Sequence, residues 1–412
     1  MINDSKIPPQ IRDLLQEIGK EAHQPIYVVG GFVRDLLLRR ENLDLDIVIE
    51  GDAIAFAQYL TDKWDGRLQS YRKFGTATVT RADGFKIDFV SARSETYERP
   101  AALPLVRWGT IEDDLHRRDF SMNALAMDLN PDRFGALVDC TDGLKDLRAG
   151  NIRVLHNQSF INDPTRIFRA IRYEQRYGFQ IVENDQTLIR EAICQGVLEF
   201  VSGQRIRNEI DCIQAEETVP RTVQRLREFD LFRAIQPKWN VPVDFAARWN
   251  AARKAIDWAS KYLSEDKINI DAMLWMTLLG CLHATEAVSN RLELKNQLRS
   301  KLIAKESLCE TLDQLNPDSK PSEVYMLLKP YPLEALVFTL MQVDWQTENI
   351  KNYLIKLRHV QPLISGDDLI QLGLKPGRCF TDLLWKAFSA QLDGKVFTKQ
   401  EIYQQLRITD EI

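Results

Sequence analysis

Hydrophobic and polar positions divide the chain into two regimes. Up to about residue 150, short apolar runs alternate with amphipathic ones. "PIYVVGG" (25–31) is a β-rich run that stops at two glycines, and "FVRDLLLRR" (32–40) continues at helical spacing. "LDLDIVIEG" (43–51) reads as a strand, "DAIAFAQYLTDKW" (52–64) as a helix, and "TATVTRA" (76–82) and "FKIDFVSA" (85–92) as strands. From about residue 163 onward, apolar residues recur every three to four positions, as in "LIREAICQGVLEFV", "QRIRNEIDCIQA", "TVQRLREFDLFRAI" and "DAMLWMTLLGCL". The pattern predicts an α+β fold: a small mixed α/β head over 1–150, a helical neck over 151–215, and a helical body and tail over 216–412. Pro and Gly punctuate the late helices at "NPDSKP", "KPYP" and "LKPGR", and no internal repeat is present.

Composition narrows the class. A chain of 412 residues has room for two or three domains with sizeable cores. Its longest apolar run, Ala272 to Leu282, is too short to cross a bilayer, and "MINDSKIPPQ" lacks a signal-peptide core. Six scattered cysteines without a CxxC pair imply reduced thiols in a cytosol rather than a disulfide frame or a zinc site. The net charge of −5 argues against a general nucleic-acid coat protein and leaves local basic patches open.

Candidate chemistry begins where the first strand meets its glycines. A Gly30-Gly31 turn running straight into a helix lets backbone approach a ligand, and the helix start favours a phosphate that Arg34 would share. The same residues also suit a plain strand–turn–helix. Asp44 and Asp46 lie two apart on a strand, so their carboxylates share a face. Two neighbouring carboxylates repel unless a cation sits between them, and hard oxygen donors suit Mg²⁺. Asp88 is a third acid on a later strand; it either supports that site or pairs with Lys86 or Arg93. Arg93 to Trp108 is a long mixed stretch, read as a plain connection or a loop near the site. In "DDLHRRDFSMNALAMDL" (113–129), Asp119 reads as the N-cap of a helix packed by Phe120, Met122, Ala124, Leu125 and Met127. Arg118 is a candidate triphosphate contact there, and Asn123 a candidate for the ribose or a loop backbone.

"NDPTRIFRAIR" (162–172) carries Arg166, Arg169 and Arg172 behind the single acid Asp163. Asp163 before Pro164 reads as an N-cap followed by proline at N1. It also has a second use. Cytosine and adenine each present an amino group beside an accepting ring nitrogen, which a carboxylate and a guanidinium one helical turn apart would satisfy together. Uracil and guanine present a carbonyl beside a ring N–H and mismatch both partners. In the body, "RLELKNQLRSKLIAK" (291–305) spaces Arg291, Lys295 and Arg299 four apart as one basic helical face, a candidate for RNA phosphates; "RTVQRLREFDLFR" (221–233) is another.

Taken together, "GGFVRD", "LDLD", "RRDFSMNALA" and "DPTRIFRAIRY", in that order, resemble the class II tRNA nucleotidyltransferase / bacterial poly(A) polymerase family over roughly residues 25–210. "SGQRIRNEI" (202–210) resembles the family's neck motif. The resemblance implies a polymerase-β-like palm and template-independent addition of C or A to the 3′ end of tRNA in the cytoplasm. It implies Mg²⁺ on Asp44 and Asp46, and nucleotide contacts from Gly30, Gly31, Arg34 and Arg118. It implies base selection by Asp163 and Arg166, with Arg169 and Arg172 in support. The expected partners are tRNA and ATP, CTP or both, with no His or Ser nucleophile. Members of the family often carry Glu where this chain has Asn162. A poly(A) polymerase is the rival reading of the same class, and a catalytically inactive RNA-binding protein that kept the fold is the rival from another class; absence of G-x-G-x-x-G after the first strand excludes a Rossmann enzyme.

Overall fold

The computed structural model describes residues 7–279, 285–340, 347–374 and 377–406; Cys281, the end of the run at Leu282 and part of "LKPGR" lie outside them. The chain forms two compact units, residues 1–235 and 236–412.

The first unit is built on strands β1 (Ile26–Val29), β2 (Leu45–Ile49), β3 (Arg67–Tyr71), β4 (Thr76–Thr80), β5 (Lys86–Ser91), β6 (Arg93–Thr96), β7 (Leu105–Trp108), β8 (Leu125–Asp128) and β9 (Leu137–Asp139). Seven of them form one sheet in the order β3-β4-β5-β2-β1-β8-β9. Its β2–β5 pair is parallel and the other neighbours are antiparallel. β1 is buried on both faces, as its unbroken apolar run requires. One face packs Tyr27, Val29, Val48, Ala124 and Ala126 against Ile111 and Leu115. The helix Ala53–Lys63 packs against β4 and β5, capped by Asp52, whose side chain accepts from the Ile54 and Ala55 amides at 3.0 Å.

Two sequence expectations fail here. Residues 120–129 do not form a helix capped by Asp119: Ser121–Asn123 is a single 3₁₀ turn, and Leu125–Asp128 becomes β8, paired with β1. Ala, Leu and Met favour helix locally, but a run apolar on every side suits a strand buried on both faces, and pairing with β1 overrides propensity. Arg93 to Trp108 is half strand, because β6 and β7 form a hairpin joined by residues 97–104.

From Ser159 on, the first unit continues as helices Ser159–Asn162, Thr165–Tyr177, Glu183–Cys194, Gly203–Gln214, Val219–Glu228 and Leu231–Ile235. Left-handed residues break two of the expected helical runs, Gly196 at φ +70° and Asp230 at φ +55°. The second unit is helical throughout its described residues. Arg291 closes one helix there (Thr285–Arg291) and Lys295 precedes the next (Asn296–Leu312). Arg291, Lys295 and Arg299 therefore do not share one helical face, because the chain turns between the first and the last of them. Arg299 donates to Glu286 at 3.0 Å and to Asn290 at 2.9 Å.

Candidate active site

The antiparallel register of β1 and β2 sets Val29 opposite Asp46. The Gly30-Gly31 turn after β1 and the Asp44–Asp46 segment at the start of β2 therefore lie at the same end of these two neighbouring strands. Asp46 also faces Asp88 across the parallel β2–β5 pair, which puts the two side chains on one face of the sheet. Burial pushes the Asp46 carboxyl up; Arg118 opposes this, and Asp88, Asp44 and Asp114 add to it. A carboxylate held against that repulsion seeks a cation. Asp88 pairs with neither Lys86 nor Arg93: it accepts from Thr78 Oγ1 at 2.5 Å, while Arg93 binds Glu95. Among the described residues no group of three or more His, Cys, Asp or Glu side chains stands ready for a metal. Asp44 and Asp46 offer two hard oxygen donors, and the phosphates of a bound nucleotide are of the same class.

Gly30 is required by its backbone. It has φ +69° and ψ −126°, and a Cβ there would lie 2.8 Å from Arg118 Nη1. Arg118 thus lies against the glycine turn and acts electrostatically on Asp46. Its Nη2 donates to Asp114 Oδ2 at 2.9 Å, and its buried Nε has no partner. A half-buried guanidinium with an unmade bond beside a helix start suits a phosphate oxygen.

Arg34 plays a different part from the one its position suggests. It is 4 % exposed. Its Nε and Nη2 grip Asp35 at 2.9 and 2.7 Å, and its Nη1 donates to Asn123 Oδ1 at 2.7 Å. Its guanidinium also stacks on Tyr177 (4.8 Å) and Tyr173 (5.3 Å). Asn123, in turn, donates to Asp119 Oδ1 at 2.9 Å, and Asp119 Oδ2 accepts from Arg169 Nε at 2.9 Å and Nη2 at 2.5 Å. The chain Asp35–Arg34–Asn123–Asp119–Arg169 ties the helix after Gly30 to the helix Thr165–Tyr177. Burial would raise the Asp119 carboxyl, but Arg169 and the Asn123 hydrogen bond outweigh it and hold the group at about 2.

Two of the three arginines of the helix Thr165–Tyr177, Arg169 and Arg172, find their acids on other elements. Arg169 has Asp119. Arg172 lies 3.6 Å from both Glu209 and Glu216, with its Nε buried and unpartnered. Arg166 has no carboxylate partner among the described residues: it donates to Ser159 Oγ at 2.6 Å and to the Arg117 carbonyl at 2.9 Å, and it is 6 % exposed. It lines a cavity of about 390 Å³ together with Tyr97, His116, Arg117, His156 and Asn162. Burial and the neighbouring Arg166 both push the His156 imidazole down, and burial beside Glu95 pushes Tyr97 up to about 12. Asp163 uses one oxygen for structure. Its Oδ1 accepts from the Thr165 amide at 3.0 Å, from Thr165 Oγ1 at 2.6 Å and from Arg205 Nη2 at 2.8 Å, while Oδ2 makes no hydrogen bond among the described residues.

Residues 117–119 join the two halves of the site. Arg118 faces the Gly30 turn and Asp46, the Arg117 carbonyl receives Arg166, and Asp119 receives Arg169. Sequence reading missed Asp35, Tyr173, Tyr177, Ser159 and Arg205. Their roles depend on partners brought in by the fold, from Ser159 seven positions from Arg166 to Asp35 142 positions from Tyr177, for which short-range spacing carries no signal.

Residues 26–153 match the model of the poly(A) polymerase head domain. The chain is 35 % identical over 402 residues to the A-adding tRNA nucleotidyltransferase of Geobacter sulfurreducens, covering 95 % of this chain and 46 % of that one. It is 30 % identical over 417 residues to the A-adding enzyme of Halalkalibacterium halodurans, covering 97 % and 92 %. It thus spans about half the length of the first relative and nearly all of the second. Among solved structures, an apo form of a CCA-adding enzyme superposes with a TM-score of 0.83 at 34 % identity, covering 98 % and 97 %. The Thermotoga maritima CCA-adding enzyme complexed with tRNA superposes at 0.75 with 33 % identity, covering 98 % and 97 %.

Proposed function

The chain belongs to the tRNA nucleotidyltransferase family that carries the poly(A) polymerase head, and from that premise we propose that it adds C, A or both to the 3′ end of tRNA, using CTP and ATP without a nucleic-acid template. The observation that carries this reading is Arg166 beside Asp163. A buried guanidinium with no carboxylate partner and an acid with one unbonded oxygen, both so among the described residues, sit a helical turn apart, joined through residues 117–119 to the glycine turn and the carboxylate pair. That is a base reader coupled to a triphosphate site.

Asp44 and Asp46 hold Mg²⁺ in this reading, and their oxygens and the charge on Asp46 suit it. When bound, the metal lowers the pKa of the tRNA 3′ hydroxyl and stabilises charge on the α-phosphate. The chain's own residues do the rest. Gly30 and Gly31 bring backbone close to the triphosphate, and Arg118, with its unmade Nε bond, neutralises it. Arg34, buried and spent on Asp35 and Asn123, acts by holding the glycine-turn helix against the helix that bears Arg166. Asp163 Oδ2 accepts from the amino group of C or A, and Arg166 donates to the ring nitrogen. Arg169 and Arg172 fix that helix through Asp119, Glu209 and Glu216. The second unit, with Lys295 and Arg299, holds the tRNA by its shape and phosphates, and the work is done in the cytoplasm.

Relatives of this length carry both A-adding and CCA-adding names, so the test must separate them. Three labelled tRNA transcripts, ending before CCA, after CC, and complete, are incubated with Mg²⁺ and CTP, ATP or both. Extension of the second transcript alone, by one A, assigns A addition; CCA on the first assigns the whole sequence. A long A ladder assigns a poly(A) polymerase, and no extension by a folded, tRNA-binding sample overturns the catalytic reading.

A further inference from the structure

The helix Gly31–Leu37, which follows the glycine turn, does not itself end on a glycine. The chain turns away from it at Arg39, which holds a left-handed φ of +58°. The Arg39 amide donates to the Leu36 carbonyl at 3.2 Å and the Arg40 amide to the Asp35 carbonyl at 2.8 Å, the paired bonds of a helix end whose turning position usually falls to glycine. A Cβ costs free energy in that region, and Asn or Asp bear it best because a short polar side chain bonds locally. Among the described residues, six residues other than glycine hold a positive φ; four are acids, one is alanine, and Arg39 is the one basic side chain.

Arg39 and Arg40 are both exposed. Among the described residues neither guanidinium pairs with a carboxylate; Asp35, in the last turn of the helix, is taken by Arg34, Asn42 and Tyr177. The Arg40 guanidinium lies 4.8 Å from the centre of the Tyr177 ring, which holds it in place without neutralising it. Both residues belong to the connection 38–44 that leads into β2. Asn42 pins this connection: its Nδ2 donates to Asp35 Oδ2 at 2.7 Å, and its Oδ1 accepts from the Asp44 amide at 2.8 Å. A Cβ on Gly31 would lie 3.5 Å from the same Nδ2, so the connection runs against the glycine turn and ends in the carboxylate pair.

Strain held at such a position points to a use outside the fold. Two cations without acids, fixed beside Asp44, offer themselves to an anion that arrives with a substrate. Phosphate reaches this site in two forms, the triphosphate of the nucleotide and the phosphodiesters of the RNA. The triphosphate already has the backbone of the glycine turn and the unmade bond of Arg118. We infer that Arg39 and Arg40 hold backbone phosphates of the 3′-terminal strand of the tRNA and so seat its hydroxyl at Asp44 and Asp46. The inference rests on the reading of the chain as an enzyme that extends RNA.

The test uses the full chain as wild type, Arg39→Gly, Arg40→Gln, Arg40→Lys and the Arg39→Gly/Arg40→Gln double variant. Anisotropy of a labelled tRNA transcript ending after CC gives the dissociation constant between roughly 50 and 200 mM salt. Calorimetry gives the constants for ATP and CTP, single-turnover extension the tRNA concentration at half-maximal rate, and urea the stability. Arg39→Gly is expected to raise the urea midpoint, because the turn regains its favoured residue, and yet to weaken tRNA binding about threefold and lower the salt slope by about one. Arg40→Gln weakens binding by a similar factor, and the double variant by about tenfold. Arg40→Lys, which keeps the charge, retains most of the affinity. The half-maximal tRNA concentration rises by the same factors, and the ATP and CTP constants do not change. If tRNA affinity and its salt slope stay at the wild-type values, the two arginines are a solvated turn and the inference fails. If ATP and CTP bind more weakly while tRNA does not, the cations serve the triphosphate and it fails as well. A lowered urea midpoint for Arg39→Gly would show that Arg39 is kept for the fold, which also overturns it. The reading of the chain as an RNA-extending enzyme fails separately, when wild type binds tRNA and extends no transcript; the binding measurements need no catalysis and tell the two failures apart.

Discussion

Asp46 and Gly30 each do one thing that another residue cannot. Asp46 is a charge kept in place against burial and neighbouring acids. Asp46→Asn removes the charge while preserving shape. We expect at least about 10³-fold loss of nucleotide addition, because metal-based charge stabilisation is worth several kcal/mol, with an unchanged melting temperature. A loss under tenfold in a Mg²⁺-saturated extension assay would remove Asp46 from the metal site. Gly30 adopts a positive φ beside Arg118 Nη1, so Gly30→Ala meets both backbone strain and a collision. We expect about 1–3 kcal/mol of destabilisation by urea unfolding, and a raised dissociation constant for ATP as Arg118 is displaced. Gly31 has ordinary room for a Cβ, the nearest atom being 3.5 Å away, so Gly31→Ala should leave stability within about 0.5–1 kcal/mol of the wild type.

At the scale of elements, the helix Thr165–Tyr177 is held to the head by buried polar contacts rather than by charge on its own surface. Tyr177 donates to Asp35 at 3.0 Å, Arg169 grips Asp119, and Arg166 is anchored on the Arg117 carbonyl. Asp119 is the hub, because it receives Arg169 and Asn123 and, through Asn123, Arg34. Asp119→Ala strands Arg169 and frees Asn123, and we expect about 3–5 kcal/mol of lost stability. The pH dependence follows the same pair. Asp119 titrates at about 2 in the folded protein against 3.8 as its ordinary value. A depressed carboxylate contributes stability that is fully present above the unfolded value and is lost as pH falls through the folded one. The contribution is about 2 kcal/mol, fading between roughly pH 4 and pH 2. Urea midpoints at pH 6 and pH 3 for wild type and Asp119→Asn measure it; the wild type should lose more than the variant, and equal losses would place acid sensitivity elsewhere.

Across the whole molecule, every residue assigned to nucleotide chemistry, from Gly30 to Arg172, falls in the first unit, residues 1–235. The second is helical in its described residues, and its end carries a small core of its own, with Ile364, Leu369, Ala387, Ala390, Val396 and Ile402. A fragment of residues 1–235 is therefore expected to unfold cooperatively and to bind CTP or ATP within about tenfold of the full chain, while losing tRNA extension. Calorimetric titration with each nucleotide and the extension assay check the two halves of that expectation; loss of nucleotide binding by a folded fragment would mean that the second unit completes the site. No helix among the described residues is long and apolar enough to cross a membrane.

The sequence by itself determined the order of elements and the local chemistry: a strand ending in Gly30-Gly31, Asp44 and Asp46 at alternating positions, Asp163 and Arg166 one turn apart. Those features are periodic or adjacent, so spacing reveals them. It also misled locally. Residues 124–129 looked helical because nothing nearby announces that they lie beside β1, and Arg291 to Arg299 looked like one face because spacing alone does not reveal a turn between two helices. Only the tertiary structure decided which charges meet. Arg34, a phosphate contact by its position, is buried against Asp35, Asn123 and two tyrosines; Arg169 and Arg172 take acids from distant elements; and Asp163 receives Arg205. The physical reason is range. Periodicity records what one element does with water and core, whereas a buried ion pair is fixed by desolvation and by whichever distant side chain the packing delivers.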